Sequence, residues 1–234
     1  MMTVNVQGTR RLVEMAGGAV SRWIQLSSIG VYGFRHEGEI DETCEAAPAN
    51  EYERSKFESD RVVAAAGERG AFKYAILRPS NVFGEGMTAR GLGQLVATIH
   101  GGLFFFLGPP GAIANYIHVE NVAAALEQLA LAESVAGVFN LSDDCPFEAL
   151  VASICDGLGM DPPKLRLPVA PVNLLASLLG RFPRFPLSRS KVAVLTRRVH
   201  FPTKRIERTG YRHEIPVDLG MRRYATAWKN APRT

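Results

Sequence analysis

The sequence predicts an α/β protein, and three stretches carry that prediction. Trp23-Ile24-Gln25-Leu26 is a short apolar run that ends in two hydroxyls, Ser27-Ser28, and a turn punctuated by Gly30 and Gly33, the pattern of a buried strand. Asn50 followed by Glu53 is a variant of the capping box and opens a helix carrying Tyr52 and Lys56. Lys73-Tyr74-Ala75-Ile76-Leu77 reads as a second strand. It must end at Arg78-Pro79, because proline cannot donate to a sheet ladder.

The remaining elements follow in order. A helical pattern begins at Asn5, with Val6, Leu12, Val13 and Ala16 as its core positions, and Gly17-Gly18 ends it. The Tyr52 helix stops around Gly67–Gly70. Residues 87–102 read as a helix, and Leu103 to Leu107 as a dense apolar strand or turn containing Phe104-Phe105-Phe106. Core packing is the expectation for those aromatics, with a hydrophobic substrate wall as the alternative. Asn115 to Ala123 runs from strand into helix, Gly137 to Ser142 is a further strand, and Pro146 to Leu158 a further helix. Beyond Met160, Pro162, Pro163, Pro168, Pro171, Pro183 and Pro186 break the chain around an apolar helix at 172–179.

Composition narrows the class. With 47% apolar and 21% charged residues in 234, the chain has the balance of an ordinary soluble globular protein and can bury a real core. No apolar run approaches the roughly 20 residues that span a bilayer, and the first residues lack the basic and apolar regions of a signal peptide. Cys44, Cys145 and Cys155 form no Cys-x-x-Cys pair and no metal-ligand cluster, which predicts reduced thiols, a cytoplasmic compartment and no metal. Charge is uneven. Residues 1–180 hold 13 basic against 20 acidic side chains, and residues 181–234 hold 14 against 3. A basic segment packed on an acidic body is expected; contact with a membrane surface is the lesser alternative, and no nucleic-acid-binding motif is present.

The spacing of Tyr52 and Lys56 has chemical content, since residues four apart share one face of a helix. A phenol with an ordinary pKa of about 10 is a poor base at neutral pH. A neighbouring ammonium stabilises the phenolate, and bringing the group to about 7 needs roughly 4 kcal/mol. A serine hydroxyl at a strand end can then hold the substrate oxygen while the tyrosine moves its proton. Ser28, Tyr52 and Lys56 fit these roles.

Ser-Ser-x-x-Val-Tyr-Gly followed by Tyr-x-x-x-Lys resembles the extended short-chain dehydrogenase/reductases, the family of nucleotide-sugar epimerases, dehydratases and 3β-hydroxysteroid dehydrogenase-like enzymes. The Asn5-Val6-Gln7-Gly8-Thr9 segment, the Arg78-Pro79-Ser80-Asn81-Val82-Phe83-Gly84 segment and Tyr116-Ile117-His118-Val119 extend the likeness. The resemblance implies a partial Rossmann-like parallel sheet with a smaller mixed substrate lid: 1–82 the Rossmann-like part with the catalytic motif, 83–145 a substrate-side insert returning to the sheet, 146–234 the lid and basic tail. It implies Ser28, Tyr52 and Lys56 as the catalytic set. Asn5, Ser27, Tyr52, Lys56, Pro79 and Ser80 would line NAD or NADP, and Ser28, Ile29 and Asn81 would face a small-molecule substrate. His118 has no partner visible in the sequence and reads as structural.

Two departures qualify the resemblance. The glycine-rich strand–turn–helix that receives a dinucleotide pyrophosphate is not found, so the expectation is a truncated and impaired enzyme, with an unpaired strand edge open to a homodimer or another chain. Ala114 stands where many nucleotide-sugar epimerases have a phosphate-binding Arg. Ala114 leans towards a less polar substrate, but the activity the resemblance implies first is NAD(P)-dependent epimerase/dehydratase chemistry on a nucleotide sugar. The alternatives are a hydroxysteroid-dehydrogenase-like or carbonyl reductase acting on an apolar alcohol or ketone, and a non-catalytic interaction module.

Overall fold

The computed structural model describes residues 1–87, 90–132, 135–172 and 189–231. A π-helical turn, Thr3–Gln7, runs straight into α1 (Gly8–Ala16), followed by β1 (Arg22–Leu26), a 3-10 turn (Ile29–Tyr32), β2 (Glu37–Glu39) and α2 (Glu51–Glu68). Next come β3 (Lys73–Pro79), β4 (Asn81–Phe83), α3 (Arg90–His100), β5 (Phe106–Leu107), β6 (Ile113–His118), α4 (Val119–Leu131), β7 (Gly137–Leu141) and β8 (Asp143–Pro146). The chain closes with α5 (Phe147–Leu158), β9 (Arg166–Leu167), α6 (Arg189–Leu195), β10 (Arg198–His200), α7 (Lys204–Glu207) and α8 (Val217–Asn230). The apolar helix expected at 172–179, together with Pro183 and Pro186, lies almost wholly outside the described residues.

The α/β expectation holds. β1, β3 and β7 form a parallel sheet in the order β1-β3-β7, with Leu26 opposite Leu77 and Pro79 opposite Leu141. All three strands therefore present their carboxyl ends along one edge, where open α/β sheets bind ligands. A mixed sheet, β4-β6-β8, continues from the end of β3, and β10-β2 and β5-β9 are two-stranded pairs.

Position in the sheet decides burial. β3, paired on both sides, is buried from Ala75 to Pro79. The expectation of a buried first strand is corrected: β1 is half-buried and Leu26 is 42% exposed. Among the described residues β1 pairs with β3 alone. Ser21 and Ser27 bond to β3, so the alternate residues Ile24 and Leu26 turn their backbone groups outward. A second correction falls on α1 and the turn before it, where Val6 and Val13 are buried but Leu12 is 58% exposed. The helix buries a narrower stripe than its apolar pattern suggests, packing Val13 against Val63, Ala66 and Phe72.

Phe104 and Phe106 are core residues, as expected; their rings meet edge-on at 5.1 Å and both contact Phe147. The basic end folds onto the body. Arg197 donates to the Arg35 carbonyl, Arg198 to that of Pro110 and Arg205 to that of Ala136. Among the described residues no helix is long and apolar enough to cross a membrane, and the three cysteines are free thiols.

α5 packs tightly against α8. A Cβ at Gly157 would lie 2.4 Å from the Arg222 carbonyl oxygen and 2.8 Å from the Ala225 Cβ, so the helices touch through bare backbone. Gly157→Ala is expected to remove about 1–3 kcal/mol of stability, read by calorimetry as a fall in Tm of several degrees. An unchanged Tm would mean the seam is looser than described.

Candidate active site

The site starts from the cap of α2. The Asn50 side chain accepts the Glu53 N–H at 2.9 Å, and Glu53 Oε2 accepts the N–H groups of Asn50 and Ala49 at 3.4 and 2.7 Å. This completes the capping box that the sequence predicts. It fixes the first turn, where Tyr52 stands 41% exposed. Lys56 follows one turn later, and its Nζ donates to the Leu26 carbonyl at the end of β1 over 3.1 Å.

Ser28 reaches the same place from the strand side. Its Oγ accepts the Gly30 N–H at 3.1 Å and so caps the 3-10 turn. Gly30 passes so close to α2 that a Cβ there would lie 3.2 Å from Glu53 Cγ and 3.3 Å from Ser28 Oγ. The serine turn is thereby pressed onto the first turn of α2, the turn that carries Tyr52, while Lys56 reaches the end of β1. Tyr32 sits on the same turn but is fully buried. Its hydroxyl donates to Asn140 Oδ1 at 2.9 Å, and burial pushes the phenol upward. Of the two tyrosines, Tyr52 is the one with open access.

The other expected residues fall as follows. Asn5 lies within the π-helical turn, an irregularity frequent at functional sites. Its Nδ2 donates to Ser55 Oγ at 2.9 Å, and Ser55 Oγ donates to the Tyr52 carbonyl at 2.8 Å, so Asn5 is linked to the first turn of α2. Pro79 ends β3 opposite Leu141, and the Ser80 N–H donates to the Leu141 carbonyl at 2.8 Å. Ser80 Oγ is buried without a partner among the described residues. Asn81 is exposed on β4 and donates from Nδ2 to the Asn115 carbonyl at 3.0 Å. The Ile29 side chain packs into the core with Val31, Tyr32, Ile40, Val199 and Phe201.

Two features escape the sequence reading. His118 does have a partner. Its ring, fully buried, accepts the Glu120 N–H at Nδ1 over 3.4 Å and meets Glu85 Oε2 at 3.0 Å through Nε2. Beneath the site, Asp60 Oδ2 accepts Ser27 Oγ at 2.8 Å and Arg78 Nε and Nη2 at 3.2 and 3.1 Å. The signal was in the sequence, since Tyr52, Lys56 and Asp60 recur every four residues along one helix face.

Burial pushes the Asp60 carboxyl up to about 6, against the pull of Arg78, Ser27 and Lys56. Between the ordinary value near 4 and about 6, the folded chain keeps a proton that the unfolded chain has lost. The associated stability is full below about 4 and lost as pH rises through about 6. Asp60→Asn is expected to flatten the dependence of unfolding free energy on pH in that window, measured by urea titration. A wild-type curve already flat there would contradict the assignment.

Comparison with known proteins places the chain. The model of the NAD dependent epimerase/dehydratase family matches residues 1–142. The chain belongs to that family. Among curated epimerase/dehydratase relatives, the Arabidopsis thaliana 3beta-hydroxysteroid-dehydrogenase/decarboxylase isoform 2 is 27% identical over 248 residues, covering 94% of this chain and 44% of the relative. The Mus musculus dTDP-D-glucose 4,6-dehydratase is 40% identical over 82 residues, 35% of this chain and 23% of that protein. The solved structure of UDP-glucuronic acid 4-epimerase from Bacillus cereus in complex with NAD has the same fold, with a TM-score of 0.72 at 12% identity over 96% of this chain and 67% of that one. The chain spans about half the length of the curated relatives it matches.

Proposed function

We propose that this epimerase/dehydratase chain carries the catalytic and substrate-facing part of an NAD(P)-dependent enzyme that moves hydride at a carbinol or carbonyl carbon of a nucleotide-sugar substrate. The observation that carries the reading is the bond from Lys56 Nζ to the Leu26 carbonyl, which ties the helix bearing Tyr52 and Lys56 to the end of β1, two residues before Ser28. Ser28 Oγ accepts the Gly30 N–H, so its own O–H remains to donate to the substrate oxygen. Tyr52 gives or takes the proton at that oxygen. The Lys56 ammonium gives one N–H to Leu26 and keeps two for the phenolate and a ribose hydroxyl.

The nicotinamide half of the cofactor suits this edge. Ser80 offers a buried hydroxyl that lacks a partner among the described residues, placed beside the end of the central strand, and Lys56 offers its remaining donors. When bound, NAD or NADP supplies the hydride acceptor or donor. In this reading the partners are a small-molecule substrate and, through the outward backbone of β1, a second copy of the chain.

One observation favours a second substrate class. Ala114 is buried, 5% exposed, where the resemblance calls for a phosphate-binding Arg, and the steroid-type relative matches most of the chain. Ligand-observed NMR separates the readings, using nicotinamide mononucleotide with either dTDP-glucose or a sterol alcohol. Saturation transfer to the mononucleotide and to dTDP-glucose, lost in Lys56→Ala, is the expected result. Transfer to the sterol alone selects the hydroxysteroid-type reading, and transfer to none selects the non-catalytic module.

A further inference from the structure

We propose that Asp60 is a positioning residue: one carboxylate oxygen fixes the ends of β1 and β3 to the helix that bears Tyr52 and Lys56, and so holds the catalytic lysine in place. The inference rests on the proposed function for its catalytic meaning, but the contacts are independent of it. Asp60 Oδ2 receives Ser27 from β1 and a two-pronged Arg78 from β3. Ser27 lies between Leu26, whose carbonyl accepts Lys56 Nζ, and the catalytic Ser28. Arg78 immediately precedes Pro79-Ser80-Asn81, the cofactor-side turn. Three segments carrying the site therefore converge on a single atom.

Burial makes the convergence rigid. Asp60 is 2% exposed and Arg78 6%, and the guanidinium is further held 5.0 Å over the Tyr32 ring. A charge-assisted pair in such a place is geometrically strict, because both partners lose solvation if they separate. The charged groups facing Asp60 are Arg78 from β3 and Lys56 from its own helix, while β1 presents the neutral Ser27. Losing the Asp60 carboxylate frees Leu26-Ser27, loosens the Lys56 anchor and leaves its amine more accessible to reagent.

The test is competitive reductive methylation of lysines, mapped residue by residue by mass spectrometry between pH 6 and 9. Lys164 and Lys204, exposed on other segments, are the internal references. Asp60→Asn keeps the shape but strands the Arg78 cation, so the double variant Asp60→Asn/Arg78→Met is measured as well, and it secures a folded sample. Both are expected to raise the Lys56 rate several-fold relative to the two references, and Asp60→Glu to restore part of the protection. A Lys56 rate that stays at the wild-type ratio, or rises only in step with Lys164 and Lys204, overturns the proposal. Turnover of Tyr52→Phe is followed in parallel. Unchanged turnover there would sink the catalytic reading while leaving the lysine result to stand or fall by itself.

Discussion

Replacing Tyr52 by phenylalanine is expected to slow hydride transfer about 10²–10⁴-fold, the usual contribution of a general acid or base, with little change in affinity for the cofactor. The substitution deletes one hydroxyl from a side chain that is 41% exposed, so it opens no cavity and leaves Tm where it was. Tyr32→Phe is the matched control. It removes a buried hydrogen bond to Asn140, at about 1 kcal/mol of stability, and touches no proton in the reaction. The two variants should separate cleanly, one losing turnover without stability and the other stability without turnover. The assay is reduced-nicotinamide absorbance. Tyr52→Phe retaining most of its turnover would remove that residue from the mechanism.

Gly33→Ala is expected to be the most damaging small substitution near the site. Gly33 ends the serine turn at φ 71° and ψ −171°, a region that side-chain-bearing residues almost never occupy. A Cβ there would lie 2.2 Å from the Ala47 carbonyl oxygen. That loop cannot simply retreat, because the Ala47 N–H is bonded to the Val31 carbonyl at 2.9 Å. Strain and overlap together amount to roughly 2–6 kcal/mol, a large share of the about 5–15 kcal/mol that holds a domain together. Gly38→Ala is the comparison: its φ of 111° is also unfavourable, but nothing lies within 4 Å of the added carbon. It should shift the urea midpoint by the strain alone. Equal midpoints for the two variants would mean that the Ala47 contact yields freely.

How much of this was legible depended on whether the signal was local. The cap of α2, the end of β3 at Pro79 and the span of α5 follow from residues within one or two turns of each other, and the sequence reads them directly. The Tyr52–Lys56 pair was legible for the same reason. What failed was information held across the fold. Leu12 obeys the helical apolar period, yet it faces outward because α2 and Phe72 cover only the Val13 side of α1. His118 looked solitary until a turn brought Glu85 to it across 33 residues. Asp60 drew no reading from the sequence, because its partners Ser27 and Arg78 approach from two different strands.

The one-sided pairing of β1 has a consequence for how the site moves. Amides that face away from β3, those of Ile24 and Leu26, should exchange with solvent deuterium through small local openings. Those of Ile76 and Leu77, in a strand held on both sides, should wait for unfolding of the whole sheet. Ser28 hangs from the first kind of strand, and Ser80 from the second. The edge that carries both serines thus has one side that breathes and one that keeps still, and the mobile side is the one that ends in Ser28.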